Sequence, residues 1–188
     1  MPALTHQHGM PNLIGATVKV IPMDGAQVST RGEYLRTDGV ADCLIVVLHY
    51  PARSVGGLAH ISYPHCLGRP GATNDDKIRN HVKSTCGVLL DGMSAGSSQD
   101  IEALLWRGFG FGTTLPTSQP DVLGHIFEDY CQRVIDLLGH FAPEDIEIGR
   151  KKGDMPQPSL PYDRSSTAIY NPTSGIVWFP DTLPARRG

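Results

Sequence analysis

The sequence contains no apolar run approaching the roughly 18 residues that a bilayer-crossing helix needs. Its opening residues, MPALTHQHGMPNLIG, also lack the basic segment followed by an apolar stretch that marks a secretory signal. These absences argue against membrane insertion and lead to the expectation of a cytoplasmic protein, with export by a route that uses no cleaved N-terminal signal as the alternative. Basic charge is not in excess: 16 Lys and Arg face 19 Asp and Glu, a formal charge of -3, so an electrostatically held nucleic acid is not expected as a partner. Cysteine is sparse. The four present, at 43, 66, 86 and 131, have neither the C-x-x-C spacing of a zinc site nor the density of a secreted disulfide scaffold, so reduced thiols are expected. The glycines of GFGFGTT (108–114) miss the G-x-G-x-x-G pattern that would cradle a phosphate.

What is present is a chain of 188 residues, 40% hydrophobic and 19% charged, enough apolar material for one folding unit with a packed interior. Glycine (21) and proline (15) are abundant and fall between apolar segments, so the fold carries many turns. Thr17 to Met23 alternates as a strand does, and Cys43 to Leu48, CLIVVL, is a continuous run of the length of a buried strand. Val55 to Ser62 reads as its hairpin partner across a loop of about six residues, His49 to Ser54. Thr73 or Asn74 can cap a helix with Ile78, Val82, Cys86 and Leu89 on one face, and a short helix is expected after Ser98, with Ile101, Leu104 and Leu105 apolar. A longer helix is expected from Ser118 and Pro120 to Gly139, with Phe127, Cys131, Val134 and Leu138 inward. Residues 1–15, with His6 and His8, read as a flexible terminus, and 150–166 as a surface loop. Thr167 to Tyr170 and Ile176 to Phe179 read as a closing hairpin around NPTSG. Strands, then helices, then strands predict a mixed α/β or α+β sandwich.

Cys43 alone among the cysteines sits where a turn meets a strand. Pairing Leu48 with Val55 places Cys43 opposite His60, at the Cβ separation of about 4.5–5.5 Å that directly paired residues have. An imidazole there can accept the thiol proton and stand beside the thiolate, the better nucleophile. The plainer reading is a small buried cysteine and a hydrogen-bonded structural histidine. His65 and Cys66 follow closely, but H-x4-H-C matches no common zinc pattern.

The stretch Leu35 to Pro64, LRTDGVADCLIVVLHYPARSVGGLAHISYP, resembles the chemoreceptor glutamine deamidase family, CheD: a threonine, a cysteine six residues on, an apolar strand, then GG-x-x-H. Thr37, Cys43, Gly56, Gly57 and His60 stand at those intervals, and Pro64 follows where the family has a proline. WRGFGFGTTL, Val122 to Leu138 and YNPTSGIVWF resemble later parts of the family more weakly.

The resemblance implies a three-layered α/β sandwich with a mixed, mainly antiparallel sheet and a Cys/His hairpin. It implies hydrolysis of protein glutamine side chains to glutamate, with Cys43 as nucleophile, His60 as base and Thr37 orienting His60. No metal or organic cofactor is called for, and the expected partner is a protein that bears glutamine side chains. Backbone amides around Ala41 and Asp42 are the nearest candidates for an oxyanion site, and His65 for the site mouth. The chain departs from the family in having Ala41 and Asp42 where a glycine and a serine precede the cysteine. EIGRKKGDMPQP (147–158) poorly matches the late glycine-rich segment associated with engaging receptors. Deamidase toxins of the cytotoxic necrotizing factor type use a similar Cys/His arrangement, which adds an effector acting on another cell's proteins as an alternative. The rival from a different class is a non-catalytic adaptor domain on the same fold.

Overall fold

In the computed structural model the described residues are 2–30, 32–40, 43–62, 75–93, 101–107, 132–140, 148–150 and 166–180. The run Leu44–Tyr50 (β5) is the middle strand of a sheet and all seven of its residues are buried, which is why it lacks polar alternation. In chain order the other strands are β1 (Thr5–His8), β2 (Val18–Val20), β3 (Ala26–Ser29), β4 (Tyr34–Val40), β6 (Val55–Ile61), β7 (Ile101–Arg107), β8 (Ile148–Arg150), β9 (Ser166–Asn171) and β10 (Ile176–Phe179). They form two five-stranded sheets, ordered β1-β10-β9-β4-β2 and β3-β6-β5-β7-β8.

Alternation along each strand of the second sheet builds two distinct cores. Leu44, Val46, Leu48, Ala59, Ile61, Ile101, Ala103 and Leu105 point to one face. There they pack against Val82, Cys86, Leu89, Leu90 and Met93 of helix α1 (Asp75–Met93) and against Val134, Ile135 and Leu138 of a helix described over 132–140 (α2). Ile45, Val47, Leu58, Leu104 and Trp106 point the other way and meet Leu35, Ala168, Tyr170, Val177 and Phe179 of the first sheet. The Trp106 and Phe179 rings, 4.4 Å apart between centroids, close this inter-sheet layer, a pairing worth about 0.5–1.5 kcal/mol beyond its buried area. The result is an α/β sandwich of helices, sheet and sheet. Among the described residues no helix is long and apolar enough to cross a membrane.

Several expectations are corrected. The connection between β5 and β6 is four residues long: Pro51–Arg53 make one 3-10 turn and Ser54, at φ +52°, reverses the chain. Tyr50 therefore pairs with Val55, and His60 faces Ile45 rather than Cys43. The segment read as a short helix, Ile101 to Leu105, is strand β7, paired along β5. Its apolar residues sit on both faces because both faces are covered, and their three- and four-residue spacing imitates a helix. Residues 1–15 hold β1, in which His6 and His8 pair with Val177 and Phe179. Arg150 ends β8 rather than beginning a loop. The caps Thr73 and Asn74, the start of the long helix at Ser118 and Pro120, Phe127, Cys66 and Cys131 lie outside the described residues.

Candidate active site

The site is built where β4, β6 and the start of β5 converge between the sheets. On β4, Leu35 and Thr37 point inward by strand alternation, and a register shift between Thr37 and Val40 then inserts one residue. Gly39, at φ +73°, supplies the backbone conformation that this bulge needs. The extra residue brings Val40 inward despite its even number, while Asp38 stays outside, bonded to the Arg36 guanidinium and the Thr167 hydroxyl.

Thr37 is fully buried and His60 is 1% exposed. The Thr37 hydroxyl donates to the Ile21 carbonyl at 2.9 Å, so its oxygen is left to accept from His60 Nδ1, 2.7 Å away. That assignment fixes neutral His60 as the tautomer with its proton on Nδ1 and its lone pair on Nε2. Nε2 is buried and has no hydrogen-bond partner among the described residues. The His60 backbone is pinned as well: its N–H donates to Gly25 O (3.0 Å) and its carbonyl accepts from Asp24 N (2.7 Å), two residues opposing one as in a β-bulge. Burial holds the imidazole below its ordinary pKa, an effect that the nearby Asp24 carboxylate opposes. The group is set to be a neutral base at neutral pH.

A second inter-sheet histidine provides an internal comparison. His49 on β5, also buried, has Nδ1 2.7 Å from the Tyr170 hydroxyl and Nε2 2.9 Å from Pro2 O. Both its nitrogens are engaged, as expected of a structural histidine. Burial, and secondarily Glu102, raise the Tyr170 phenol well above its usual pKa, so that hydroxyl keeps its proton and donates it. His60 differs in keeping one nitrogen back.

Cys43 precedes β5 by one residue and is 3% exposed. It lies two positions from Ile45, the direct partner of His60, so Cys43 and His60 project to the same side of the sheet as diagonal rather than facing neighbours. Its Sγ lies 4.0 Å from Met23 Sδ. Ala41, Asp42 and His65 lie outside the described residues. Among the described residues no group of three or more His, Cys, Asp or Glu is arranged to hold a metal.

The paired glycines before His60 have packing roles. A Cβ on Gly56 would run into the Tyr170 hydroxyl and the Leu48 carbonyl, and one on Gly57 into Leu89 Cδ2 and the Gln27 carbonyl. They let β6 lie close to its neighbours and so set the depth at which His60 sits. The strand expected over Thr17 to Met23 is confined to Val18–Val20, and the Pro22–Gly25 turn that follows it contributes Met23 and Asp24. The Asp-Gly pair of that turn was the available signal.

No protein-family model and no curated protein matches the sequence. One similar solved structure is described as that of the Bacillus licheniformis hypothetical protein YfiH, at 18% identity and a TM-score of 0.35. The similarity covers 66% of this chain and 50% of that one, so the match spans half the length of that protein.

Proposed function

We propose that the chain is a cysteine hydrolase that deamidates glutamine side chains of proteins. The observation that carries the reading is His60: its Nδ1 proton is committed to Thr37, and its buried Nε2 is unpartnered among the described residues, on the side of the sheet that Cys43 shares. A fold leaves a buried nitrogen without a partner at a cost of about 1–3 kcal/mol, and a base that must accept a proton has use for one. The resemblance of the Thr37, Cys43, Gly56, Gly57 and His60 pattern to the chemoreceptor glutamine deamidases supports the same chemistry.

In this reading Cys43 turns its thiol from Met23 toward Nε2, which takes the proton. The thiolate attacks the carboxamide carbon, and His60, now imidazolium, returns that proton to the departing nitrogen as the C–N bond breaks and ammonia leaves. A water then gives a proton to neutral His60 and attacks the thioester. The C–S bond breaks, the thiolate is reprotonated from His60, and the product is glutamate. Thr37 holds the ring through both halves. Incubation with a denatured glutamine-rich protein should release ammonia and add about one dalton per converted site, as exchange of an amide for an acid requires. Cys43→Ser should abolish both, and equal release from that variant would end the reading.

The burial of Cys43, 3% exposed, favours a second reading, a non-catalytic adaptor in which the cysteine only fills space. Slow alkylation of Cys43, indistinguishable from that of the buried Cys86, would support it.

A further inference from the structure

Met23 stands on a tight turn in which Gly25 N–H donates to Pro22 O at 3.0 Å and Asp24 adopts φ +58°. The Asp24 carboxylate accepts from Ser62 N (2.8 Å) and from the Ser62 hydroxyl (3.0 Å), fastening the turn to the end of β6. From this position Met23 is 61% exposed, yet its sulfur reaches to 4.0 Å from a thiol that is itself 3% exposed. One side chain thus runs from solvent to the proposed nucleophile.

Methionine and glutamine are both unbranched, and Sδ of the first holds the same place along the side chain as the carboxamide carbon Cδ of the second. We infer that Met23 occupies the place that a substrate glutamine side chain takes, with its sulfur standing where the carboxamide carbon meets Cys43. The inference rests on the deamidase reading and deepens it. Methionine suits such a role because its flexible, mostly exposed side chain can swing aside with little loss of packing. The arrangement also selects by length: the carboxamide carbon of asparagine lies one methylene nearer its backbone and stops short of the sulfur, so glutamine is the amide served.

The test places the substrate in the protein itself. In Met23→Gln the introduced amide lies beside Cys43, an intramolecular arrangement that strongly favours reaction. It should consume one water, release one ammonia and gain about one dalton, with no gain in Met23→Gln combined with Cys43→Ser and none in Met23→Asn. In Met23→Ala, iodoacetamide should label Cys43 about tenfold faster than in the parent, the change that a barrier lower by about 1.4 kcal/mol produces, while Cys86 stays unlabelled as a check on folding. Unchanged labelling of Cys43 in Met23→Ala would overturn the inference whatever the reaction, as would equal conversion of the glutamine and asparagine variants. Faster labelling with no mass gain in Met23→Gln would keep Met23 as the residue covering the thiol but would overturn its role as a glutamine stand-in, while the deamidase reading is judged separately by ammonia release from the added glutamine-rich protein.

Discussion

Thr37 and His60 belong to different sheets and meet across the inter-sheet layer at 2.7 Å, with the threonine proton already given to Ile21 O. The direction of this bond follows from that prior commitment: Thr37 must accept, His60 Nδ1 must donate, and the basic lone pair of the neutral ring is confined to Nε2.

Thr37→Val removes the acceptor and leaves Nδ1 of a buried imidazole unpaired. We expect a loss of about 1–3 kcal/mol of stability in urea unfolding, and slower alkylation of Cys43 in the folded protein. Thr37→Ser keeps the hydroxyl and should restore both. A valine variant as stable and as reactive as the parent would show that the bond does neither job.

The pH dependence of stability follows from the lowered pKa of His60. The unfolded chain titrates this group near 6.5 and the folded one lower, so below pH 6.5 the unfolded state binds more protons. The contribution of His60 to stability is therefore complete above that pH. It declines as pH falls through the window down to the folded-state pKa and is constant below it. Urea midpoints measured from about pH 8 down to about pH 5 should fall more steeply for the parent than for His60→Asn, and parallel curves would contradict the assignment.

The sequence made much of this site legible, and the errors have identifiable physical causes. The all-buried run of β5 announced itself through β-branched residues, and β6 through its proximity. The register did not, because it depends on how Pro51–Arg53 and Ser54 close the turn. The resulting shift moved His60 by two positions, from Cys43 to Ile45. A shift of two preserves the face and a shift of one reverses it, so the pairing of side was right while the partner was wrong. Strand β4 was hidden because Asp38 and Gly39 are poor strand residues, held there by a bulge and by Arg36 and Thr167. β1 was hidden because its histidines and glutamine carry no apolar alternation, its strand identity coming from pairing with β10.

Gly56→Ala should cost about 1–3 kcal/mol, the usual penalty for forcing atoms into filled space, because the added methyl strikes the Tyr170 hydroxyl that His49 binds and the Leu48 carbonyl behind it. Differential scanning calorimetry should show a lowered transition. Unaltered melting would mean that β6 can retreat from its neighbours without loss.

Cysteine selectivity provides a further check. Burial pushes the Cys86 thiol up to about 12, so iodoacetamide should leave it untouched in the native protein and label it only on unfolding. Peptide mapping after brief treatment should find Cys43 modified and Cys86 free. The reverse order would place the reactive thiol under α1 rather than between the sheets.

The most direct measurement compares the rate of Cys43 alkylation by iodoacetamide, from about pH 8.5 down to about pH 6.5, in the parent and in His60→Asn. Asparagine retains a donor for Thr37 and fills similar space but cannot take a proton, so the ratio of the two rates reports the imidazole rather than access to the sulfur. The account predicts a parent rate that persists toward neutral pH and falls away in the variant. Superimposable profiles would mean that Cys43 and His60 do not act as a pair.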